Sequence, residues 1–307
     1  MRDYSGLLEI AKNNECKYII GAKMSDYTTF KIGGPVDVLL NVENLKGLSN
    51  ILKFCYENKI NTYIIGNGSN LLVSDDGLNC VCIKLCGDFF NIRLNKDKTI
   101  TCGTGVSLAK LCKFAAQNSL SGLEFAWGIP GSVGGAAFMN AGAYSGEMKD
   151  VIKYCEHVTN KGEIGRFNKN ELDFSYRKSA YSDKNYVITS VTFELAEDDG
   201  ININSQMNDY LDRRKAKQPL NKPSAGSVFK RPAGNYAGSL IQECGLKGKK
   251  IGGASVSDKH SGFIVNLGGA TYKDVKLLIE LIKNTVKNEK GIELECEIKD
   301  LNNSIFE

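Results

Sequence analysis

Residues 128–135 have the sequence Gly128-Ile129-Pro130-Gly131-Ser132-Val133-Gly134-Gly135, and glycine occurs seven times between residues 121 and 148. This stretch follows neither the two-residue period of a strand nor the roughly 3.6-residue period of a helix. Glycine lets the backbone approach a ligand closely, and the chain has 32 glycines against 5 prolines in 307 residues. The sequence therefore predicts a long loop region over 121–148 that holds a ligand.

Two further glycine-rich segments have the same character. They are Ile32-Gly33-Gly34 and Ile65-Gly66-Asn67-Gly68-Ser69-Asn70. Each segment alone is compatible with an ordinary tight turn. Successive backbone N–H groups can cradle phosphate without a cationic side chain, so the three segments together predict a dinucleotide-sized ligand.

The common nucleotide-binding fingerprints do not fit these segments. In the GxG segments that begin at Gly66 and Gly103, the third glycine of the dinucleotide fingerprint is replaced by Leu71 and Leu108. The segment 248–250 lacks the hydroxyl residue and the upstream spacing of a P-loop. A Rossmann-type dehydrogenase or a P-loop kinase is therefore disfavoured.

Hydrophobic patterns outside the glycine segments predict a mixed order of helices and strands. Predicted helices cover 3–14, 44–58, a segment that begins after Ser107, a segment that ends near Lys217, 237–244 and 274–288. Predicted strands cover 36–42, 62–65, 79–85, 99–102, 151–159, 164–167, 186–195 and, with alternating polarity, 292–299. The segment 36–65 predicts a βαβ unit, and the mixed order indicates the α+β class.

Charge and composition disfavour several classes of protein. The net charge of +4 is small and dispersed, which argues against nucleic acid as a partner. The N-terminus lacks the apolar run of a secretory signal, and no stretch approaches roughly 18 uninterrupted apolar residues. We therefore expect a soluble cytoplasmic protein without a membrane partner, in which the ten cysteines stay reduced.

One cysteine cluster, formed by Cys80, Cys82 and Cys86, lies in a predicted strand and just after it. In a strand Cys80 and Cys82 face the same side. The chain has no CxxC pair, and its two histidines, His157 and His260, are far from the cluster in sequence. We therefore expect no metal site.

The glycine segments belong to an ordered series of motifs. Its first part includes Thr28-Thr29-Phe30-Lys31-Ile32-Gly33-Gly34, Gly66-Asn67-Gly68-Ser69-Asn70-Leu71-Leu72-Val73, the 128–135 segment and Asn140-Ala141-Gly142-Ala143-Tyr144. Its second part includes Ser175-Tyr176-Arg177-Lys178-Ser179, Ala225-Gly226-Ser227-Val228-Phe229-Lys230, Val256-Ser257-Asp258-Lys259-His260 and Leu294-Glu295-Cys296-Glu297. Over nearly its whole length the chain resembles the UDP-N-acetylenolpyruvoylglucosamine reductases, in the shorter branch that lacks a tyrosine-bearing insertion.

This resemblance implies a two-part FAD-binding domain of the vanillyl-alcohol-oxidase (PCMH) type and a smaller C-terminal α+β domain that binds substrate. The expected boundaries are an N-terminal helical brace over 1–22, the FAD-binding domain over 23–197 and the substrate-binding domain over 198–307. The implied reaction reduces the enolpyruvyl ether of a UDP-sugar to a lactyl ether, which makes UDP-N-acetylmuramate for peptidoglycan, with NADPH as co-substrate.

The resemblance also implies which residues contact FAD. They are Ile65, Gly66, Asn67, Gly68, Ser69, Asn70, Gly128, Ile129, Pro130, Gly131, Ser132, Gly134, Gly135, Asn140, Ala141 and Gly142. Many oxidases of this superfold attach FAD through a loop histidine or cysteine, but here Pro35 follows Gly33-Gly34. We therefore expect non-covalent FAD.

Three residues match the catalytic positions of the family. Arg177 is implied to stabilise the enolate, Ser227 to donate the proton, and Glu297 to polarise or protonate the intermediate. A guanidinium fork suits a carboxylate that becomes an enolate. Glu295 and Glu297 would share one face of an alternating strand, so the motif alone leaves open which of them does chemistry, and only the resemblance selects Glu297.

The implied substrate contacts are less specific. They are Tyr176, Lys217, Lys230 and Arg231. Arg231 stands where an amide is common in the family, which leaves the diphosphate contacts open. Cys296 stands where proline is common, and we expect this replacement to be tolerated because its side chain should point away from Glu297. The sequence determines neither the segment that covers the substrate nor the oligomeric state, and a monomer is compatible with it.

Two other functions are compatible with parts of the pattern. A flavin oxidase of the same superfold would return electrons to oxygen, but hydride abstraction from an alcohol requires a base rather than the set Arg177, Ser227 and Glu297. A regulatory module that binds a nucleotide sugar would show no flavin that NADPH can bleach. The reductase is the function that the motif series favours.

Overall fold

A computed structural model describes residues 2–306 of the chain. Its α-helices are α1 (Ser5–Asn13), α2 (Leu45–Glu57), α3 (Leu108–Gln117), α4 (Val133–Phe138), α5 (Met148–Val151), α6 (Gly200–Lys217), α7 (Ala237–Glu243) and α8 (Tyr272–Lys290). Its first ten strands are β1 (Lys17–Ile20), β2 (Val36–Val42), β3 (Thr62–Ile65), β4 (Leu71–Val73), β5 (Leu78–Leu85), β6 (Ile92–Leu94), β7 (Ile100–Gly103), β8 (Leu120–Ser121), β9 (Gly142–Ala143) and β10 (Gly146–Glu147). The others are β11 (Ile152–Val158), β12 (Ile164–Asn168), β13 (Val187–Phe193), β14 (Ala196–Glu197), β15 (Ser224–Ser227), β16 (Lys250–Ile251), β17 (Ala254–Val256), β18 (Phe263–Asn266) and β19 (Lys299–Leu301).

The chain forms two compact units that alternate along the sequence. The first unit comprises residues 1–20, 37–67 and 80–212, and the second comprises 21–36, 68–79 and 213–307. The helix and strand content of both units confirms the α+β class. The functional domain boundaries at 22–23 and 197–198 stay a prediction, because they divide the chain consecutively rather than by contacts.

The predicted βαβ unit lies in a four-stranded sheet of the first unit. The strand order is β1-β2-β5-β3, so β5 lies between the two strands that α2 connects, and β3 and β5 are parallel. Asn44 begins α2 by accepting a hydrogen bond from the N–H of Gly47 at 2.8 Å. Leu48 and Ile51 of α2 are fully buried together with Leu7 of α1. The amphipathic pattern of both helices therefore supplies the core of this sheet.

A five-stranded sheet is the other large sheet of the first unit. Its strand order is β12-β11-β13-β7-β6, and its neighbouring strands pair antiparallel. The three strands predicted over 151–195 are formed, but the predicted meander is wrong, because β13 pairs with β11 rather than with β12. Ser107 caps α3, as predicted, by accepting a hydrogen bond from the N–H of Lys110. Leu111 of α3 and Phe193 of β13 are both fully buried in its core.

The loop predicted over 121–148 is interrupted by helical structure, so that prediction is wrong in part. The short helix α4 begins where Ser132 accepts a hydrogen bond from the N–H of Gly135 at 3.3 Å. Two of its residues, Gly134 and Gly135, have low helix propensity, and the hydrophobic pattern of this segment therefore does not indicate a helix. Its buried Ala136 and Ala137 pack into the core of the first unit.

The second unit contains a four-stranded antiparallel sheet with α7 and α8. The strand order is β15-β18-β17-β16. Thr271 and Asp274 form a reciprocal capping box at the start of α8, which begins two residues before the predicted helix. The apolar face of α8, including Leu278 and Ile282, is buried in the core of this unit.

The alternating strand predicted over 292–299 is not formed. In this segment Cys296 makes an isolated antiparallel bridge with Phe229, and β19 begins only at Lys299, where it pairs parallel with β4. Residues 292–295 have no strand partner in the structure. Local alternation of polar and apolar residues therefore reflected burial on one side rather than a sheet ladder.

The cysteine cluster lies in the four-stranded sheet. Cys80 and Cys82 are fully buried on the same side of β5, as predicted, with their sulfur atoms 4.0 Å apart. The hydrogen bond between the two thiols and their burial raise the pKa of Cys80. Across residues 2–306, no group of three or more His, Cys, Asp or Glu side chains has the arrangement of a metal site.

None of the helices in the described part of the chain has the length and apolar character that crossing a bilayer requires.

The buried ring of His157 leads us to expect that the stability of the folded protein depends on pH. Its ring is buried among Phe167, Tyr181 and Tyr186, and its Nδ1 lies 3.1 Å from the hydroxyl of Tyr181. Burial, and secondarily the charge of Lys184, lower the pKa of His157 from its ordinary value of 6.5. His157 therefore binds a proton more readily in the unfolded chain than in the folded chain. Its contribution to the free energy of unfolding is complete above about pH 6.5 and declines as the pH falls below that value.

We expect the thermal midpoint of the protein to fall between pH 7 and pH 5.5, and to fall less steeply in His157→Phe, which keeps a ring in the aromatic cluster. Calorimetry at a series of pH values measures both slopes. Equal slopes for the two proteins would show that His157 does not carry this dependence.

Candidate active site

Two of the glycine-rich segments meet in the first unit. The side-chain amide of Asn67 donates a hydrogen bond to the carbonyl of Pro130 at 3.1 Å. A Cβ atom on Gly66 would lie 2.4 Å from Oγ of Ser132, so a larger residue at position 66 would displace the Ser132 side chain. Gly66, Asn67 and Pro130 are nevertheless exposed, so their backbone is accessible to a ligand.

The GxG segment that begins at Gly103, which does not fit the dinucleotide fingerprint, lies against the same 128–135 loop. The N–H of Val133 donates to the carbonyl of Val106 at 2.8 Å, and the N–H of Gly134 donates to that of Thr104 at 3.0 Å. A Cβ on Gly134 would come within 2.7 Å of Thr104 Cβ. The GxG pattern at 103–105 was the sequence signal for this neighbour, but the sequence did not indicate that it packs against 131–134.

In the second unit, the segment 28–34 packs against residues 68–75. The N–H of Thr29 donates to the carbonyl of Gly68 at 3.1 Å. Gly68 has φ +62°, and a Cβ there would lie 2.1 Å from the carbonyl oxygen of Tyr27. A Cβ on Gly34 would lie 2.0 Å from the carbonyl oxygen of Asp75. Both positions therefore require glycine, since no side chain fits against neighbouring backbone.

Arg177 lies in the first unit in a left-handed backbone conformation with φ +58°. Its guanidinium carbon lies 4.8 Å from the ring centroid of Tyr176, and its Nη2 is 3.5 Å from the carbonyl oxygen of Gly142. The side chain is half-buried. Such a conformation is uncommon for a residue with a Cβ and often occurs at functional sites.

Asn140 connects the loop around Gly142 to the turn that carries Arg177. It is fully buried, and its amide donates to the carbonyl of Ser175 at 3.0 Å and to Oε2 of Glu147 at 3.1 Å. Its side-chain oxygen accepts from the N–H of Lys149 at 2.9 Å. The side chain of Asn140, predicted to contact FAD, therefore forms three hydrogen bonds within the protein.

Ser227 and Glu297 are brought together in the second unit. Ser227 ends β15 opposite Phe263 of β18, and it is half-buried. The next residue, Val228, accepts a hydrogen bond from the backbone N–H of Glu297 at 2.7 Å. The amide of Asn70 donates to the carbonyl of Glu297 at 3.2 Å, which places Asn70 of the second unit beside the same residue.

The structure also distinguishes the two glutamates that the sequence could not separate. Glu297 is half-buried, whereas Glu295 is exposed and its carboxylate forms an ion pair with Lys230. The backbone N–H of Lys230 also donates to the carbonyl of Glu295 at 2.8 Å. Lys230, a predicted substrate contact, is therefore held by Glu295 in this structure.

The other predicted substrate contacts lie at the surface. Arg231 is exposed and stacks over the ring of Tyr236, with 4.0 Å between the guanidinium carbon and the ring centroid. Lys217 is exposed at the end of α6, and Tyr176 is 45% exposed. As substrate contacts, these three residues stay predictions.

The loop surfaces fit an FAD molecule. Residues 66–67 and 128–135 lie side by side without a charged side chain, and Gly66 and Gly135 are exposed, so backbone N–H groups there can approach a pyrophosphate. Gly128 has φ +85°, which allows the chain to turn sharply at the start of the second segment. The residues that would hold FAD in the first unit are therefore those of 65–67 and 128–135.

Comparison with known proteins assigns the class first. The FAD binding domain family matches residues 35–168, which include most of these loops, so the chain is an FAD-binding protein. The C-terminal domain family of UDP-N-acetylenolpyruvoylglucosamine reductase matches residues 218–301, which include Ser227 and Glu297.

Relatives over almost the full length specify the family. The UDP-N-acetylenolpyruvoylglucosamine reductase of Syntrophomonas wolfei is 46% identical over 280 residues, which are 91% of this chain and 93% of the relative. That of Clostridium perfringens strain 13 is 46% identical over 290 residues, 93% of each chain. The crystal structure of the Thermus caldophilus reductase superposes with a TM-score of 0.80 at 36% identity, and the match covers 94% of this chain and 99% of that one. The chain belongs to the UDP-N-acetylenolpyruvoylglucosamine reductase family.

Family membership confirms the predicted fold class, the FAD cofactor and the assignment as an oxidoreductase. The family acts in the synthesis of peptidoglycan precursors, on a small-molecule UDP-sugar.

Proposed function

We propose that the chain reduces UDP-N-acetylglucosamine enolpyruvate to UDP-N-acetylmuramate with NADPH as the electron donor, and that Ser227, Glu297 and Arg177 perform the proton and charge chemistry. The observation that carries the proposal is the hydrogen bond that holds Glu297 beside Val228, the neighbour of Ser227. The backbone segments that carry the Ser227 hydroxyl and the Glu297 carboxylate are thereby held together within the second unit. A cytoplasmic location belongs to the same proposal.

The reaction adds two hydrogens across a carbon–carbon double bond. FAD, held by residues 65–67 and 128–135, would supply the redox chemistry that carries a hydride from NADPH to the terminal vinyl carbon of the substrate. The electron pair of the double bond then resides on the adjacent carbon and is delocalised into the substrate carboxylate as an enolate. One proton completes the lactyl ether, so NADPH and one proton are consumed for each product.

Ser227 is proposed to deliver that proton. A serine hydroxyl is a weak acid, but the carbon of an enolate is strongly basic, so a well-placed hydroxyl suffices. Ser227 lies at the end of a strand whose pairing with Phe263 fixes its backbone. Glu297, held by Val228 and Asn70, is proposed to polarise the intermediate or return a proton to the site.

Arg177 is proposed to stabilise the enolate. Its planar cation can bind both oxygens of the substrate carboxylate as negative charge accumulates there. The contact with the Tyr176 ring and the buried Asn140 beneath the turn support a fixed guanidinium.

The proposed cofactor contacts follow the geometry of the loops. Ile65 to Asn70 and Gly128 to Gly135 would hold FAD mainly through backbone, and Ala141 and Gly142 would do so beside Arg177. FAD is proposed to be non-covalent, because no histidine or cysteine occurs in these loops. Tyr176, Lys217, Lys230 and Arg231 stay proposals as substrate contacts, and Lys230 would have to exchange its partner Glu295 for the substrate.

Product analysis tests the proposed function. The chain, reconstituted with FAD, is incubated anaerobically with NADPH and UDP-N-acetylglucosamine enolpyruvate. We expect a product heavier than the substrate by the mass of two hydrogen atoms, with one NADPH consumed per product. Oxidation of an alcohol with production of hydrogen peroxide would instead indicate the oxidase, and UDP-sugar binding without any flavin would indicate a regulatory module.

Replacing Arg177 with lysine is expected to slow reoxidation of the reduced flavin by the enolpyruvyl substrate about 10- to 100-fold. Lysine keeps the charge and a Cβ at the same φ, but it loses the planar fork that binds two carboxylate oxygens. Lys178→Arg is the matched control, since Lys178 is in the same turn and pairs with Asp183 at 2.7 Å. Stopped-flow absorbance measures both rates, and an unchanged rate in Arg177→Lys would remove Arg177 from the proposed chemistry.

A further inference from the structure

A hydrogen-bonded chain links the imidazole of His260 to the segments that carry Ser227 and Glu297. The backbone N–H of Gly262 donates to Nδ1 of His260 at 3.1 Å. The carbonyl of Gly262 accepts from the N–H of Val228 at 2.9 Å. The carbonyl of Val228 accepts in turn from the N–H of Glu297 at 2.7 Å. Three successive links therefore connect one side chain to both proposed catalytic positions.

The same turn is the start of the strand that pairs with Ser227. The N–H of Phe263 donates to the carbonyl of His260 at 2.9 Å, and Phe263 stands opposite Ser227 in the β15–β18 pair. Gly262 is buried, so an N–H that lost its acceptor there would pay a desolvation penalty. A shift of Gly262 would thus be transmitted to Val228, which follows Ser227, and to Phe263, which stands opposite Ser227.

The His260 ring is itself held in place from several sides. A Cβ on Gly238 of α7 would lie 3.2 Å from its Cε1, so the ring packs against bare backbone of that helix. It meets the ring of Phe263 edge-on, with centroids 5.0 Å apart. Oγ of Ser257 accepts hydrogen bonds from the N–H groups of Lys259 and His260. The acceptor atom Nδ1 therefore has a defined position.

The protonation state agrees with this role. An acceptor at Nδ1 requires the neutral ring with its proton on Nε2, a tautomer assigned from the hydrogen bond. Burial first, and the nearby charge of Lys217 to a smaller extent, lower the pKa of His260. The neutral form is thereby favoured at neutral pH.

We propose that His260 is a positioning residue for the proton-transfer step, which acts by fixing the Gly262 peptide and through it the backbone of Ser227 and Glu297. This inference rests on the proposed roles of Ser227 and Glu297. The alternative is that the ring only fills space against α7. The two differ in what the ring must supply, because packing needs its shape whereas positioning needs its acceptor.

Asparagine and phenylalanine separate these roles. An asparagine side-chain oxygen accepts from the N–H two residues ahead in an Asx turn, which is the same i to i+2 geometry as His260 to Gly262. Phenylalanine keeps a planar ring but has no acceptor. His260→Asn should therefore retain positioning although it loses ring packing, and His260→Phe should do the reverse.

The test measures the two half-reactions separately in the FAD-loaded enzyme. We expect His260→Phe to slow reoxidation of reduced flavin by UDP-N-acetylglucosamine enolpyruvate about 10- to 100-fold, since small misplacements of reacting groups have effects of this size. Flavin reduction by NADPH should stay within about twofold of wild type. In His260→Asn, the reoxidation rate should return to within about threefold of wild type.

The opposite pattern overturns the inference. An unchanged reoxidation rate in His260→Phe would show that the ring only packs. An equal loss in both half-reactions, or no recovery in His260→Asn, would show that the Nδ1 acceptor does not position the groups of the proton-transfer step. If His260→Phe does not fold, His260→Gln, whose acceptor lies one bond further from the backbone, replaces it with the same expected loss. Ser227→Ala, measured alongside, separates the two hypotheses: if it too leaves reoxidation unchanged, the proposed function of Ser227 has failed, whereas a loss in Ser227→Ala without a loss in His260→Phe refutes the positioning role alone.

Discussion

Ser227→Ala is expected to reduce the rate of flavin reoxidation by UDP-N-acetylglucosamine enolpyruvate roughly 10³-fold, within the range of losses known for a removed general acid. Flavin reduction by NADPH should be unaffected, because it needs no proton from Ser227. The substitution removes one oxygen from a half-buried side chain, so little loss of stability is expected. Anaerobic stopped-flow absorbance of the flavin measures both rates.

The control for this substitution lies in the same strand. Ser224 begins β15 and pairs with Val265, and its carbonyl, not its side chain, accepts from Oγ1 of Thr29 at 2.7 Å. Ser224→Ala should therefore leave both half-reactions unchanged. A reoxidation rate in Ser227→Ala equal to that of Ser224→Ala would remove Ser227 from the proton-transfer step.

Glu297→Gln is expected to lower the reoxidation rate about 10²-fold, whereas Glu295→Gln should change it less than about threefold. Both substitutions replace a carboxylate by an amide of the same shape. Glu297 is half-buried and its backbone is bonded to Val228 and Asn70, whereas Glu295 is exposed and only pairs with Lys230. Loss of a charge that stabilises a transition state in a partly buried site has effects of this size.

The two glutamates form an internal comparison. Single-turnover rates, with thermal midpoints to show that both variants are folded, decide between them. If Glu295→Gln shows the larger loss, the family-based choice of Glu297 is wrong, and Lys230 and Glu295 would have to be considered as a catalytic pair.

Much of the fold follows from local sequence patterns. The α2 helix could be predicted because its apolar residues repeat at helical spacing and Asn44 caps it. The β2 and β3 strands coincide with the predicted 36–42 and 62–65, since both are short apolar runs between turn residues. In such elements the local pattern and the tertiary packing favour the same structure.

The wrong predictions have a physical cause as well. Helix α4 depends on the Ser132 cap and on packing of Ala136 and Ala137 against the core, and both outweigh the low propensity of its glycines. The segment 292–299 has the alternation of a strand, but before Lys299 its one bridge, from Cys296 to Phe229, is set by tertiary contacts. Sheet partners are chosen over long sequence distances, which a local pattern does not contain.

The candidate residues of the site could be selected from the sequence, but not their connections. The motif series selects Ser227, Glu297 and Arg177, whose roles stay proposals, but it does not contain the backbone bond from Glu297 to Val228 or the left-handed conformation of Arg177. The histidine at 260 had no assigned role because the bond from Gly262 to its ring is visible only in three dimensions. Spacing in the sequence gives the residue types, whereas distances require the fold.

Double mixing under anaerobic conditions tests the central claim most directly. NADPH is mixed with the FAD-loaded enzyme until the visible flavin band is bleached, and UDP-N-acetylglucosamine enolpyruvate is then added without oxygen. The proposed function predicts that the band returns in full and that one UDP-N-acetylmuramate forms per flavin. A bleached flavin that only oxygen can reoxidise would contradict it.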